Sequence, residues 1–258
     1  MPADNIVLTC AHVLIGGYDL SANFNELNVT PAHEMLDVST FGSGTRKKKG
    51  GVQTGSITGK GLKDLTSSGS DETLFMVVGL DDVPVTAFFD GITAGSTVAS
   101  FGMGALSVKY NLGGQFGQLL AFDFDAQART MLVPAVVLQN ATVTPWSTDS
   151  SGGTVVAICS SGDRLLYGGF HVTALSTTLG ATISGVITAN SSSGYTVSNP
   201  NGTTRITFSA QSCKAGTFAV PIAASVLSTD QMFWRARITV STGTSTGASA
   251  SGLIYFSL

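Results

Sequence analysis

The sequence predicts a mostly β protein with one short helix, and three observations predict it. Charged residues are only 11% of the 258-residue chain, so the strong helix formers Glu, Lys and Arg are scarce, while 31 residues are glycine and Ser and Thr abound. Apolar and polar residues alternate with a period of two in many short runs. Those runs are separated by Gly, Ser, Asn and Asp clusters of the kind that make turns.

The first alternating run is Tyr18–Phe24. Its phase reverses near Asn25–Glu26, because Leu27 and Val29 carry the apolar side afterwards, and a phase reversal predicts a β-bulge or bend. Further strands are expected at Val52–Gly59, Val83–Phe89, Gln118–Asp125, the unusually apolar Met131–Leu138, Gly169–Leu175, Thr182–Ala189, Arg205–Ala210, Thr217–Ala223, Phe233–Ser241 and Leu253–Phe256. Pro84 and Pro221 place their strands at a sheet edge or a strand start, because proline cannot donate to a central ladder. The single helix is read from Ser70 as a cap, Asp71 and Glu72 in the first turn, and Gly79 as the stop. Leu74, Phe75 and Val78 would then form its apolar face.

Length and charge limit what such a chain does. The net charge of −3 is too small to point to nucleic acid or an anionic membrane as a bulk partner. It is unevenly spread: residues 1–140 hold 13 acidic and 8 basic side chains, and residues 141–258 hold 3 and 5. Opposite-sign halves suit a molecule that packs against copies of itself. Cys10, Cys159 and Cys213 have no paired or metal spacing. The first residues lack a basic signal-peptide region, and no run reaches the ~20 apolar residues of a membrane helix.

A repeat suggests the domain organisation. Leu14-Ile-Gly-Gly-Tyr-Asp-Leu-Ser-Ala22 matches Leu166-Tyr-Gly-Gly-Phe-His-Val-Thr-Ala174 in its Leu, both Gly and its final Ala. The match predicts two β domains, 1–140 and 141–258, the second a diverged copy of the first. Two unrelated strands that each follow a Gly-Gly turn would look the same.

Catalytic patterns are weak. Val7–Val13, with His12, and Thr148-Asp-Ser-Ser-Gly-Gly153 resemble the histidine and serine segments of chymotrypsin-like proteases. Only eleven residues precede His12, too few for the strands that position such a histidine, and Thr148 replaces the glycine that shapes the oxyanion turn. Gly55–Gly61 has the wrong spacing for a phosphate loop and reads as a strand with a glycine bend. His12, His33 and His171 are scattered, so no metal, cofactor or enzymatic activity is expected.

Two charged features stand out. Arg46, Lys47, Lys48 and Lys49 are consecutive and flanked by glycines in the loop 42–51. They are 4 of the chain's 13 Lys and Arg. In Phe122-Asp-Phe-Asp125, alternation puts the rings on one face of a strand and Asp123 and Asp125 on the other. That face is either simply solvated or a carboxylate row lining a channel.

Gly17-Tyr-Asp-Leu-Ser21, Leu36-Asp-Val-Ser-Thr-Phe-Gly42, the basic loop, Gly59-Lys-Gly-Leu-Lys-Asp64, the helix from Ser70 and Val83-Pro-Val-Thr-Ala-Phe-Phe89 together resemble the opening of siphophage major tail proteins. Leu166–Ala174 and Phe233-Trp-Arg-Ala-Arg-Ile-Thr-Val240 are similar to the later part of the two-domain members. The resemblance implies tandem β-sandwich tube domains with one short helix, their sheets merging between subunits into a ring-forming barrel. It implies a structural virion protein, made in the host cytoplasm and incorporated in the tail, whose stacked rings form the channel for phage DNA. Rings of three two-domain chains or of six chains both fit. Implied partners are further copies of the chain, a tape-measure protein, tail terminator and distal tail proteins, and viral DNA passing without sequence-specific binding; no membrane is implied. Arg46–Lys49 would be the inter-ring contact loop, and Asp123 and Asp125 would face the lumen. A virion decoration or glycan-binding β-sandwich is the alternative, and it would need an exposed aromatic platform. Trp234 does not provide one, because it alternates inward with Ile238.

Overall fold

The computed structural model describes residues 11–39, 46–65, 69–89, 92, 100–129, 132–143, 156–157, 164–176, 182–190, 203–212, 218–227, 233–241 and 249–257. The serine segment 148–153, the loop positions 42–45, Trp146, the Ser-rich stretch 191–194 and all three cysteines lie outside these residues. The elements run β1 His12–Ile15, β2 Tyr18–Asp19, β3 Phe24–Asp37, β4 Lys48–Leu62, α1 Ser70–Val77, β5 Val83–Phe88, β6 Ser100–Gly113 and β7 Ala121–Ala128. They continue as β8 Val133–Val143, β9 Val156–Ala157, β10 Arg164–Ser176, β11 Thr182–Asn190, β12 Thr203–Ser212, β13 Phe218–Leu227, β14 Phe233–Ser241 and β15 Ser249–Ser257. The chain is therefore mostly β, with antiparallel sheets and, among the described residues, one short α-helix, as the composition predicts.

Among the described residues the strands form two open sheets. The larger, of 11 strands, runs β13-β10-β15-β8-β6-β5-β1-β2 and branches at β6 into β7-β4-β3; the smaller is β12-β11-β14-β9. The branch exists because β6 bends. Ser100–Ala105 pairs with β5, whereas Ser107–Gly113 pairs with β7 across a register shift at Leu106. Apolar residues of β6 change phase there, from Phe101, Met103 and Ala105 to Val108 and Tyr110. A bulge of this kind lets one strand turn from one layer of a sandwich into the other.

The first core lies between these two layers. Val13 and Ile15 of β1, Val83, Val85 and Ala87 of β5, and Met103 face Ile57, Phe122, Phe124 and Ala126, and α1 adds Leu74 and Val77. Phe24 packs edge-on against both phenylalanines of β7, with centroids 5.1 and 5.9 Å away. The other face of the same layer is also covered: Leu14 and Phe88 pack against Ala135 and Val137 of β8. Beyond it, β10 turns its opposite face to the small sheet, where Phe170 meets Phe208 at 5.7 Å. Trp234 and Ile238 are both fully buried, as their alternation predicts.

Three sequence expectations need correcting or refining. Tyr18–Phe24 is not one strand, because a turn of 3-10 helix at Ser21–Asn23 separates β2 from β3. The bulge expected after it is present, as a register shift between Phe24 and Glu26. The helix ends where Gly79 predicts, with φ +81, but its inward face is Thr73, Leu74 and Val77, and Phe75 and Val78 point outward. Ser70 acts at the helix start without capping it. Its hydroxyl accepts from the Asp64 amide at 3.0 Å and so ties α1 to the chain leaving β4.

The two Gly-Gly segments of the repeat adopt different conformations. Gly16-Gly17 is the two-residue turn between β1 and β2, with Ile15 opposite Tyr18 and Gly16 at φ +60. Gly168-Gly169 lies inside β10, and a Cβ on Gly168 would stand 2.7 Å from Ile187 of the facing sheet. One glycine provides a left-handed turn and the other a close approach. Strand β8, which spans the expected domain seam, pairs with β6 on one edge and β15 on the other, so the large sheet is continuous across it.

Candidate assembly surfaces

The β3–β4 hairpin is far longer than its core requires. Its inner half packs through Leu27, Val29 and Ile57, yet every residue from Thr30 to Ser39 and from Arg46 to Gly50 is exposed. The ladder nevertheless continues to Asp37 opposite Lys48. Its far end is closed by the Val38 amide donating to the Lys47 carbonyl at 2.9 Å and the Lys47 amide donating to Ser39 Oγ at 2.8 Å. The Ser39 amide donates to Asp37 Oδ1 at 2.9 Å. The Ser39 hydroxyl and amide hold the Asp37 carboxyl below its usual value. This arm carries Met35, Leu36 and Val38 in solvent, Met35 at 70% exposure. Lys48 and Lys49 lie in the terminal rungs, and Arg46 and Lys47 just beyond them. The sequence placed the four cations at a loop tip; the structure adds the ribbon that holds them away from the core. Pro31 is tolerated because, among the described residues, β3 pairs with β4 alone and so has a free edge.

The second surface is the outer face of β3, β4, β7 and β6. Phe122 and Phe124 are buried and Asp123 is exposed, as alternation predicts, with Asp125 half-exposed beside it. Register places Glu26, Lys60, Asp123 and Asn111 in one cross-strand row and Asn28, Thr58, Asp125 and Lys109 in the next. Lys60 Nζ is 3.6 Å from Glu26 Oε2, and Lys109 Nζ is 3.9 Å from Asp125 Oδ2. The predicted carboxylate pair thus belongs to a mixed face of three carboxylates and two ammonium groups, which spacing within a single strand could not reveal. A shallow groove of about 220 Å³ runs between Glu26, Thr58, Lys60, Asp123 and Asp125. Another of about 320 Å³ lies between Thr30, Thr54, Ser56 and Gln127.

A third surface was not found from the sequence. Phe75, Met76, Val78 and Leu80 of α1 and its following turn are 45–75% exposed. The carboxylate of Asp71 accepts from Tyr110 Oη at 2.8 Å and lies 3.1 Å from Lys63 Nζ. The Tyr110 hydroxyl, and secondarily Lys63, hold the Asp71 carboxyl below its usual value, while burial and Asp71 push Tyr110 up. Asp82, at φ 59, pairs with Arg129 at 2.8 Å.

His12 does meet a serine and an aspartate, but not as a relay. Ser21 Oγ is 3.2 Å and Asp19 Oδ2 3.6 Å from the same nitrogen, Nδ1, whereas a catalytic triad uses the two opposite nitrogens. Ser21 Oγ donates to Asp19 and accepts from the Val13 amide at 3.0 Å, so the cluster fastens the β1–β2 turn. His171, by contrast, is buried where β10 crosses β1 and β5. Its Nδ1–H donates to the Gly16 carbonyl, and Nε2 accepts from Thr86 Oγ1 at 2.8 Å. Burial pushes its pKa down to about 4, against a smaller upward effect of the Gly16 carbonyl. The imidazole is therefore neutral and acts as a structural link. Among the described residues, no three His, Cys, Asp or Glu side chains are grouped to hold a metal ion.

No protein-family model matches the sequence, and no curated protein sequence does. Solved structures with a similar arrangement include a chain from the virion of a native gene transfer agent particle, with TM-score 0.37 and 15% identity, covering 46% of this chain and 92% of that one. The SPP1 Dit protein, described as a hub of the adsorption apparatus in phages infecting Gram-positive hosts, gives TM-score 0.34 and 9% identity over 91% of this chain and 100% of its own. A chain of infectious bursal disease virus, Gt strain, gives 0.33 and 14% over 96% and 56%. At these scores the likeness is partial and assigns no role to this chain.

Proposed function

We propose that this chain is a structural virion protein, the tube subunit of a non-contractile phage tail, which assembles into stacked rings around the path of the DNA. The observation that carries the reading is the β3–β4 arm. A two-stranded ribbon exposed on both faces is marginal by itself in water, and this one holds Met35, Leu36 and Val38 in solvent. Such a ribbon gains stability when a second surface covers it. The long outer edge of β3, which among the described residues pairs with β4 alone, is a template for adding strands from another chain.

In this reading Arg46–Lys49 contact the neighbouring ring. Their exposed charges steer docking more than they drive it, since exposed ion pairs are each worth about 0–1 kcal/mol. The outer face bearing Asp123 and Asp125 lines the lumen, where DNA slides past a mixed surface whose three carboxylates outnumber its two ammonium groups. Rings of three or of six chains, a tape-measure protein inside them, and terminator and distal proteins at the ends complete the assembly. The test is electron microscopy of the purified protein beside a variant with residues 33–50 replaced by a short glycine-serine turn. Hollow rings or tubes from the intact chain alone support the reading; discrete particles of one or two chains from both proteins at every concentration defeat it.

A further inference from the structure

We propose that the outward face of α1 and its following turn is the socket for the β3–β4 arm of a second copy of this chain. The inference rests on the self-assembly reading above and names the contact that would build it. Helix α1 turns Thr73, Leu74 and Val77 inward and leaves Phe75, Met76, Val78 and Leu80 as an apolar patch at its last turn. Removing such side chains from water is favourable, so an exposed patch of four favours a partner.

Charge and shape select that partner. The segment from Lys63 to Asp82 holds five carboxylates, on Asp64, Asp71, Glu72, Asp81 and Asp82. Among the described residues, Lys63 lies against Asp71 and Arg129 against Asp82. The arm presents the complement, with Met35, Leu36 and Val38 beside four consecutive cations, Arg46 to Lys49. The match cannot be made within one chain. Lys48 and Leu62 are the two ends of strand β4, and at about 3.3 Å per residue they are about 45 Å apart. The α1 segment leaves from the Leu62 end, as the Asp64 amide bond to Ser70 fixes. Each copy therefore offers an arm at one end and a socket at the other. A contact of this head-to-tail kind repeats from copy to copy and closes into rings or grows into filaments.

The test places a photo-crosslinking benzoylphenylalanine at Phe75, an exposed position that the fold does not need. Equal amounts of isotopically light and heavy protein are mixed, assembled and irradiated, and the crosslinked peptides are identified by mass. Peptides joining position 75 to residues 33–50 of the differently labelled copy are the expected result. Assemblies that form while position 75 links elsewhere, or to nothing, overturn the socket and leave the tube reading standing. If no assembly forms, both fall. As a second readout, Lys47→Glu with Lys48→Glu should lower assembly about tenfold, and adding Glu72→Lys with Asp81→Lys should restore most of it; absence of that rescue also counts against the socket.

Discussion

Strand β5 and the outer half of the β3–β4 arm are opposite uses of the same extended backbone. All six residues of β5 are buried, with Val83, Val85 and Ala87 against one core and Phe88 against the other. Its one polar side chain, Thr86, is hydrogen-bonded to His171. The arm, from Thr30 outward, is covered on neither face. Residue character follows: β5 is apolar except for Thr86, and the arm mixes Pro31, His33, Glu34 and Asp37 with Met35 and Leu36. The difference teaches that β5 is held by its own chain, whereas the arm has the composition of a surface that is finished by something else.

Cutting into β5 should have the largest effect. Phe88→Ala removes a ring buried to 1% exposure and should cost about 3–5 kcal/mol, read as a lowered denaturant midpoint. A loss below 1 kcal/mol would mean that the second core is not a packed one. Acid should act next on the same strand, through His171. In the unfolded chain its imidazole takes a proton below about 6.5, and in the folded protein only near pH 4. Between those values the unfolded state binds more protons, so its contribution to stability is full above about pH 6.5 and is lost on acidification towards 4, by roughly 3 kcal/mol. Urea melts from pH 7 to 4 should show this fall, and His171→Gln should flatten it. The smallest effect on the isolated subunit belongs to the arm. Leu36→Ser should change its unfolding free energy by no more than about 0.5 kcal/mol and yet reduce assembly in sedimentation experiments. Equal losses in stability from Leu36→Ser and Phe88→Ala would erase the contrast between the two regions.

What the sequence made legible follows the same division. Where one face of a strand is buried, alternation exposes it: β11 begins at Thr182 as expected, β14 spans the expected Phe233–Ser241, and Phe122 and Phe124 are sorted from Asp123 and Asp125. Where both faces are wet, nothing alternates, so the sequence shows the outer arm only as a basic loop. Strand β6 was missed for another reason. Its apolar phase reverses at Leu106, the signal that had been recognised at Asn25–Glu26. The helix showed its start and its glycine stop, but Leu74 to Val78 are apolar all round and carry no stripe to say which side faces in. The repeat misleads because glycine answers two demands, a left-handed turn at Gly16 and a close sheet contact at Gly168. The outward apolar face of α1 depends on orientation, which only packing decides.

The position of β15 has a consequence in time. It lies between β8 and β10 in the large sheet, although in sequence it comes after the other described strands. During synthesis, β8 is therefore made long before the strand that will cover its free edge, and the middle of the sheet stays open while the intervening segments emerge. Pairing between such distant segments is slow to form. The arm is translated early, but the sheet behind it is not complete until β15 leaves the ribosome. In the assembly proposed above, a nascent chain would thus display its β3–β4 ribbon before it has a finished body, and binding to neighbours at that stage would join incomplete subunits. Chain order in this fold sets a waiting period between making the arm and completing the sheet behind it.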